Sequence, residues 1–181
     1  MTRSASVQVR LECPDDFAQI SAVTEAAFSA SAYGHHGEAA LIERLRANCS
    51  QILSLVAECE SQIVGHALFS PVAIEGCDAI AGGMGLGPVS VLPQFQRCDI
   101  GSRLIREGLA LLRKRATPFV CVLGDPAFYG RVGFEPASRF GVCSEFGGAS
   151  DGAFQIVWLI DRPLRFKRAL LKCCPEFSQL E

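Results

Sequence analysis

The sequence GLGPVSVLPQFQRCDIGSRLIREGL, from Gly85 to Leu109, contains a strand, a tight turn and the start of a long helix. Its apolar residues are typical of a β-strand up to Leu92, and Pro93 ends that strand because proline has no N–H for a strand ladder. Apolar residues then recur at positions 104, 105, 109 and 112, which predicts a helix from about residue 100 to residue 115. The residues between the two elements therefore form a short loop at a helix N-terminus.

This loop has the features of a phosphate-binding turn. The first N–H groups of a helix have no intrahelical partner and lie at the positive end of its dipole, so together they attract anions. Gly101 would allow a close backbone approach, and Gln96, Arg97 and Ser102 add donors. Any strand-to-helix junction also needs capping, and Asp99 is a favoured N-cap residue. The pattern alone leaves phosphate binding and ordinary capping both open.

The composition indicates one globular protein without a strong charge bias. A chain of 181 residues with 49% hydrophobic content can bury one sizeable core, so we predict a single domain over residues 1–181, with 162–181 as a C-terminal tail whose packing the sequence leaves open. Lys and Arg total 17 against 19 Asp and Glu, which argues against nucleic acid or an anionic membrane as partner. The nine cysteines form no CxxC pair, so we expect no metal site. The apolar runs are too short for a membrane span, and we therefore expect a cytoplasmic protein with reduced thiols.

Strand-like runs and helical patterns follow one another along the whole chain. The predicted strands cover about residues 7–11, 51–59, 62–74, 85–92, 119–124, 134–143 and 154–160. The other predicted helices begin at Asp15 or Asp16 and near residue 38. Short turns between the second, third and fourth strands indicate an antiparallel meander, whereas the continuous apolar run FVCVLG is typical of a strand that is covered on both faces. The predicted sheet is therefore mixed.

The stretch quoted first also resembles a known motif, the central motif of the GNAT superfamily of acyl-CoA-dependent N-acyltransferases. The segments HGEAALIERLR and GHALFSPV before it, and VLGDPAFYGRVGFEPA after it, resemble the bacterial YhbS-type branch in the same order. The resemblance covers about residues 7–160. It implies an α+β fold in αβα layers: a mixed, mostly antiparallel seven-stranded sheet that is flanked by helices and has a central pair of splayed parallel strands.

Acetyl-CoA is the cosubstrate that the resemblance implies. The family's loop motif reads glutamine or arginine, two residues of any type, glycine, one residue of any type, then glycine or alanine, and its amides hold the CoA diphosphate. It falls on Gln96, Arg97, Cys98, Asp99, Ile100 and Gly101, followed by Ser102. The strand backbone at Val89, Ser90 and Val91 is implied to pair with the pantetheine arm. The family glycine is here Asp99, whose carboxylate would oppose the phosphates if it faced the loop and weaken binding modestly if it faced solvent.

Two residues are candidates for proton transfer. A common family tyrosine corresponds to Tyr129, which would act as general acid towards the departing thiolate; packing against Phe128 and Phe134 is the alternative role. His66 has the right ordinary pKa for a general base, and the YhbS-type branch also has a Gly-His pair there, although strand histidines are more often structural. Asp125 would cap the short helix before Tyr129.

The first two helices border the acceptor pocket in this superfamily, which makes Glu25, Tyr33 and Glu38 candidates for binding the amine. Each could equally be an exposed residue of a helix or loop. The chain is thus predicted to be an N-acetyltransferase in which a small-molecule or peptide amine attacks acetyl-CoA directly in a ternary complex; a covalent intermediate on Cys98 or Cys121 is the less favoured route. The alternative is a degenerate GNAT-fold protein that binds CoA, an acyl ligand or another protein without turnover. The strand at 154–160 could pair between two copies in a homodimer.

Overall fold

The computed structural model describes residues 6–29, 37–75, 82–146 and 152–179. It divides the chain into two compact units. The first comprises Met1–Phe69, Pro88–Gly108 and Pro175–Glu181, and the second comprises Ser70–Gly87 and Leu109–Cys174. The prediction of a single domain stays a prediction.

Nine strands and four α-helices lie in the described part of the chain. The strands are β1 (Gln8–Leu11), β2 (Leu53–Cys59), β3 (Gln62–Ile74), β4 (Gly83–Val91), β5 (Phe119–Leu123), β6 (Glu135–Pro136), β7 (Val142–Ser144), β8 (Phe154–Trp158) and β9 (Ala169–Lys172). The helices are α1 (Phe17–Ser29), α2 (Glu38–Asn48), α3 (Ile100–Lys114) and α4 (Pro126–Tyr129). Short 3-10 helices occupy Pro14–Asp16, Pro93–Phe95, Gly130–Val132, Ala137–Phe140 and Pro175–Gln179. None of the helices in these ranges is both long enough and apolar enough to cross a membrane.

In the first unit, β2 pairs antiparallel with both β1 and β3, and β4 lies next to β3. The order β2, β3, β4 is that of the meander that the sequence predicts. Neighbouring residues of β3 point to opposite faces of the sheet, as the strand pleat requires. A Cβ atom on Gly65 would lie 3.1 Å from Ile100 in α3, so this residue faces α3. His66 points to the other face, where Glu12 and Arg46 of α2 lie. Helices therefore cover both faces of these strands.

In the second unit, β4 is parallel to β5, and β8 pairs antiparallel with both β5 and β6. The end of β3 pairs with β9, which is parallel to β7. A buried cluster includes Phe119, Phe140 and the partly buried Trp158, whose ring centroid lies 5.5 Å from that of Phe119. The predicted α+β class, with a mixed and mostly antiparallel sheet and a parallel central pair, is confirmed.

In the second half, one predicted strand differs in the structure, and the packing of the tail, which the sequence leaves open, is seen. The run 134–143 is not one strand: β6 and β7 are separated by a 3-10 helix, because Pro136 lacks an N–H and Gly141 takes a left-handed φ of 73°. A Cβ atom at Gly141 would overlap the carbonyl oxygen of Phe166, so only glycine fits there. The tail beyond residue 162 is packed through β9, where Leu171 is fully buried. These two changes turn seven predicted strands into nine.

Candidate active site

The parallel ladder between β4 and β5 is short. Only Met84 with Val120 and Gly85 with Cys121 are paired, although β5 continues to Leu123 and β4 to Val91. Pro88 supplies no N–H to a ladder, which is consistent with the loss of pairing. Of the predicted pantetheine-binding residues, Val89 and Val91 are partly exposed and Ser90 is buried, with its hydroxyl 3.3 Å from that of Thr24 in α1.

The loop between β4 and α3 has an unusual backbone. Arg97 and Asp99 both take φ = 61°, in the left-handed region that glycine favours and that aspartate tolerates better than most residues. A left-handed residue followed by a helical one turns successive N–H groups towards one point, which creates a concave site for an anion. Gln96 steadies the entry to the loop, because its Nε2 donates to the carbonyl of Val91 over 3.1 Å.

The amides of this loop are available as donors. No backbone carbonyl in the described ranges accepts from the N–H groups of residues 97–102, and the first bond of the helix runs from the N–H of Arg103 to the carbonyl of Asp99, at 2.9 Å. These amides also lie at the positive end of α3, a fifteen-residue helix. Unpaired amides at a helix N-terminus are the kind of group that binds the anionic oxygens of a phosphate.

Gly65 in β3 allows this helix start to pack closely on the sheet. A Cβ atom there would lie 3.1 Å from Ile100, 3.2 Å from Leu104 and 3.3 Å from the carbonyl oxygen of Ser90. Ile100 and Leu104 are buried, so the first turn of α3 is fixed against the strand by close van der Waals contact. The position of the loop amides is therefore set by the sheet.

Asp99 stands where the family has glycine, and its carboxylate binds Arg106. Its Oδ2 lies 3.0 Å from Nη1 of Arg106, and the two side chains are 56% and 53% exposed. The Arg106 guanidinium lowers the pKa of Asp99, and a hydrogen bond with Ser102 acts in the same direction. Asp99 is thus the N-cap residue of α3, because its main-chain carbonyl accepts the first hydrogen bond of the helix. Its charged side chain is paired with Arg106, further along α3.

His66 belongs to a buried polar network rather than to an open pocket. Its Nε2 lies 2.8 Å from the Ser54 hydroxyl, which donates to Glu12 over 2.5 Å. Arg46 donates to both carboxylate oxygens of Glu12, at 2.9 and 2.7 Å. Burial raises the pKa of Glu12, but the nearby His66 ring and the hydrogen bonds from Arg46 and Ser54 together outweigh it and lower that pKa to about 2, so the carboxylate is charged.

The protonation state of His66 follows from this network. Because the Ser54 hydrogen is directed to Glu12, Nε2 of His66 carries a proton and donates to Ser54. Nδ1 is then unprotonated, and within the described part of the chain it has no partner. Burial lowers the pKa of His66, which has no exposed surface. The prediction that His66 is the general base gains no support from this geometry, because an amine has no direct access to the ring.

Tyr129 lies at the end of α4, in the second unit. Asp125 caps this short helix as predicted, accepting from the N–H of Ala127 at 2.9 Å. The Tyr129 ring packs edge-on against Phe128 and Phe134, with centroid distances of 4.9 and 5.7 Å. Burial, with a smaller contribution from the Asp125 charge, raises the pKa of Tyr129 to about 12. The phenol is therefore protonated at neutral pH.

Gly124 provides the space that the Tyr129 ring occupies. A Cβ atom on Gly124 would lie 2.5 Å from Cε2 of that ring. The backbone of Gly124 is held from both sides, since its N–H donates to Ala153 at 3.0 Å and its carbonyl accepts from the buried Gln155 side chain at 3.2 Å. Only glycine fits at this position without moving the ring.

The predicted acceptor-binding residues differ in their surroundings. Glu25 is exposed on α1, with Ser21 donating to it over 3.4 Å. Glu38 is buried in the first turn of α2, and its carboxylate accepts from the N–H of Gly37 at 3.1 Å. Tyr33 lies outside the described residues.

The structure therefore brings the residues of the loop, the end of β4 and His66 into the first unit, and Tyr129 into the second. Sequence reasoning missed three features: the Asp99–Arg106 pair, the network around Glu12, and Gly124 beneath Tyr129. The sequence could have indicated the Asp99–Arg106 pair, because residues seven apart lie two turns from each other on the same face of a helix. Glu12 and Arg46 are too far apart in sequence for any local pattern to relate them.

Comparisons with known proteins agree with this architecture. Residues 8–137 match the family described as the acetyltransferase (GNAT) domain. The chain is 32% identical over 172 residues to an uncharacterized N-acetyltransferase, YhbS, of Escherichia coli strain K12, covering 94% of this chain and 98% of the relative. A crystal structure of E. coli YhbS in complex with CoA superimposes with a TM-score of 0.86 at 29% identity, covering 100% of this chain and 97% of that one.

A second solved structure is a GNAT family acetyltransferase from Brucella melitensis in complex with acetyl-CoA. It is 38% identical, with a TM-score of 0.76, and the match covers 96% of this chain and 99% of the other. The family match covers most of the chain and includes β4, the loop and α3. The chain belongs to the GNAT acetyltransferase family.

Proposed function

We propose that the chain transfers an acetyl group from acetyl-CoA to a primary amine by direct attack in a ternary complex. The observation that carries this proposal is the set of unpaired amides at residues 97–102, which fits a diphosphate. Two relatives of known structure, one of them 38% identical, bind CoA or acetyl-CoA, which supports the same cosubstrate here. Acetyl-CoA would supply the thioester carbonyl that the amine attacks, with free CoA thiol as the second product.

The residues of the loop and of β4 have binding roles in this proposal. The amides of Arg97, Cys98, Asp99, Ile100, Gly101 and Ser102 hold the diphosphate, helped by the dipole of α3. The backbone of Val89, Ser90 and Val91 orients the pantetheine arm, beyond the point where β4 leaves its ladder with β5. A cosubstrate fixed in this way reacts faster, because its freedom has already been lost on binding.

Tyr129 is the proposed proton donor to the departing thiolate. Its raised pKa of about 12 keeps the phenol protonated, as a general acid must be. Because an ordinary thiol has a pKa of about 8.5, Tyr129 would stabilise the developing thiolate first by donating a hydrogen bond. Phe128 and Phe134 fix the ring that carries this hydroxyl.

On the acceptor side, the exposed Glu25 is the proposed group that takes the proton of the attacking amine through water. Glu38, whose carboxylate is held at the start of α2, is proposed to shape the pocket together with Tyr33. We assign His66 a positioning role: it supports Glu12, which in turn holds Arg46 of α2. The acceptor class is a small-molecule or peptide amine.

The structure gives a reason to prefer direct attack over a covalent intermediate on cysteine. Cys121 is buried, and burial raises the pKa of its thiol well above the ordinary value, so it carries no reactive thiolate. The exposed Cys98 directs its thiol to the carbonyl of Gln96, at 3.5 Å. Neither is arranged as an activated nucleophile.

A thermal-shift titration followed by a thiol-release assay tests the proposal. Acetyl-CoA at about 100 times its dissociation constant should add about 2.7 kcal/mol to the free energy of unfolding. An amine panel should then release free CoA thiol. In Tyr129→Phe the CoA dissociation constant should be unchanged while kcat falls by about 100-fold, the lower end of the range for a general acid.

The outcomes separate two candidate functions. Binding of acetyl-CoA without turnover on any amine would favour the degenerate binding module, for which Asp99 in place of glycine is the supporting observation. No thermal shift at any acetyl-CoA concentration would overturn both.

A further inference from the structure

We propose that Arg106 is a charge-compensating residue that holds the Asp99 carboxylate away from the cofactor diphosphate. The inference rests on the proposed binding of CoA at residues 97–102. It assigns to Arg106 a role in cofactor affinity that depends on the acid at position 99.

The backbone at position 99 has the left-handed conformation that glycine favours, with φ = 61°. Aspartate reaches this region at a smaller cost than most residues with a Cβ atom. The turn of the N–H groups towards one point is therefore retained, and what Asp99 changes is the charge.

The Asp99 carboxylate would repel the diphosphate if the two came close. The repulsion between a carboxylate and a phosphate charge about 4 Å apart is several times stronger near a protein surface than in bulk water, because the effective dielectric constant is lower. The amides of residues 97–102 would meet both the carboxylate and the diphosphate if the side chain turned inwards. Asp99 could also satisfy those amides itself, as an N-cap carboxylate commonly does, and so compete for the site.

Arg106 is placed to reach the Asp99 carboxylate. Arg106 follows Asp99 by seven residues, so its Cα lies about 10 Å further along the helix axis, away from the N-terminus. Side chains on a helix lean towards its N-terminus, which lets the Arg106 guanidinium reach back along the outer face of α3. It binds Oδ2 of Asp99 there at 3.0 Å, with both side chains more than half exposed. The carboxylate is thereby kept on the solvent side of the helix.

The contact has little importance for stability, since exposed ion pairs contribute little. The proposed effect of the ion pair is on the direction of the Asp99 side chain. With Arg106 present, the carboxylate has a partner other than the loop amides. Arg103, in the first turn of α3, also contributes to the lowered pKa of Asp99, but its Nη2 donates to the carbonyl of Val7 at 2.8 Å. Among the described residues, Arg106 is the one that forms an ion pair with the Asp99 carboxylate.

A double-mutant cycle on CoA affinity tests the proposal. Calorimetric dissociation constants for CoA would be measured for the wild type, Arg106→Gln, Asp99→Gly and the double variant. Arg106→Gln should weaken CoA binding about three- to tenfold at low salt, corresponding to about 0.7–1.4 kcal/mol. In the Asp99→Gly background the same substitution should have little effect, because the charge that it compensates is gone.

Two further variants serve as controls. Arg113→Gln removes the same charge from an exposed site seven residues further along α3, and CoA affinity should stay at the wild-type value. Asp99→Asn keeps the shape of the side chain without its charge, and Arg106→Gln should again have little effect in that background. The loss in Arg106→Gln should also shrink at high salt, because exposed charges are screened.

The pairing itself is tested without cofactor by an NMR titration of the Asp99 carboxyl. Its pKa should be lower in the wild type than in Arg106→Gln. A loss of CoA affinity that is equal in the wild-type and Asp99→Gly backgrounds would overturn the inference, since Arg106 would then act on the cofactor directly. Unchanged affinity in Arg106→Gln would also overturn it and leave the proposed function standing, whereas a wild type that does not bind CoA would overturn both.

Discussion

Gly124 is the residue on which the position of Tyr129 depends. We predict that Gly124→Ala lowers kcat at least tenfold while CoA affinity is unchanged, because the added Cβ atom would lie 2.5 Å from the Tyr129 ring and displace the proposed acid. Gly130→Ala is the matched control: a Cβ atom there meets nothing within 4 Å, and φ is −57°. Steady-state kinetics of both variants check the prediction. If Gly124→Ala and Gly130→Ala had the same kcat, either Tyr129 would take no part in the reaction or its ring would move freely to make room for the methyl group.

Single residues also show where sequence reasoning succeeds and where it stops. The substitution of aspartate for glycine at position 99 could be read directly from the motif, and so could the capping role of Asp125. Neither the direction of the Asp99 carboxylate nor the burial of His66 could be, because both depend on side chains that the fold brings close. The ordinary pKa of histidine suits a general base. Burial of His66 in the network lowers that pKa and leaves the ring out of reach of an acceptor amine.

The packing of α3 on β3 makes a prediction that runs against helix propensity. Gly108 lies within α3, where alanine is normally about 1 kcal/mol more stable. A Cβ atom at this position would overlap Cζ of Phe69, which is fully buried. We therefore predict that Gly108→Ala lowers the free energy of unfolding by about 1–3 kcal/mol, as expected for overpacking. Urea denaturation measures this change.

Two variants separate packing from propensity in that experiment. Phe69→Leu should make room for the methyl group, so Gly108→Ala should cost less in that background than in the wild type. Ala110→Gly, at an exposed position of the same helix, should cost about 1 kcal/mol from propensity alone. If Gly108→Ala were stabilising, the close contact between α3 and β3 would be contradicted.

Most elements could be predicted from periodicity, and the exceptions share one cause. β1 to β5, α1 to α3 and β8 follow apolar patterns that a strand or a helix fixes locally. The run 134–143 fails because Pro136 and Gly141 interrupt the ladder inside an apolar segment. β9 could not be found because its short run ALLK is stabilised by β3 and β7, which are remote in sequence.

The buried network around Glu12 makes the stability of the folded protein depend on pH. Below the ordinary pKa of histidine, about 6.5, the unfolded chain binds a proton at residue 66 that the folded protein excludes, because burial lowers the folded pKa of His66. Stability should therefore fall as pH drops below about 6.5, by up to about 1.4 kcal/mol per pH unit. Glu12, with a folded pKa of about 2 against 4.5, should cause a further loss as pH falls below 4.5.

Urea midpoints measured from pH 8 to pH 4 check this dependence. His66→Gln should be less stable than the wild type at pH 8 yet lose little more between pH 6.5 and 5, because the group that titrates is gone. Arg46→Gln should be destabilised by about 1–3 kcal/mol at pH 8, since it leaves the partly buried Glu12 charge without its arginine partner. A wild type whose midpoint is constant from pH 8 to pH 5 would contradict the neutral, buried state of His66.

The most direct test of CoA binding at the start of α3 is a crystal structure of the protein with CoA. We predict diphosphate oxygens within hydrogen-bonding distance of the amides of residues 97–102, with Asp99 still on Arg106 at the outer face of the helix. A complex in which the Asp99 carboxylate itself bonds to those amides, with the diphosphate bound elsewhere or not at all, would contradict it.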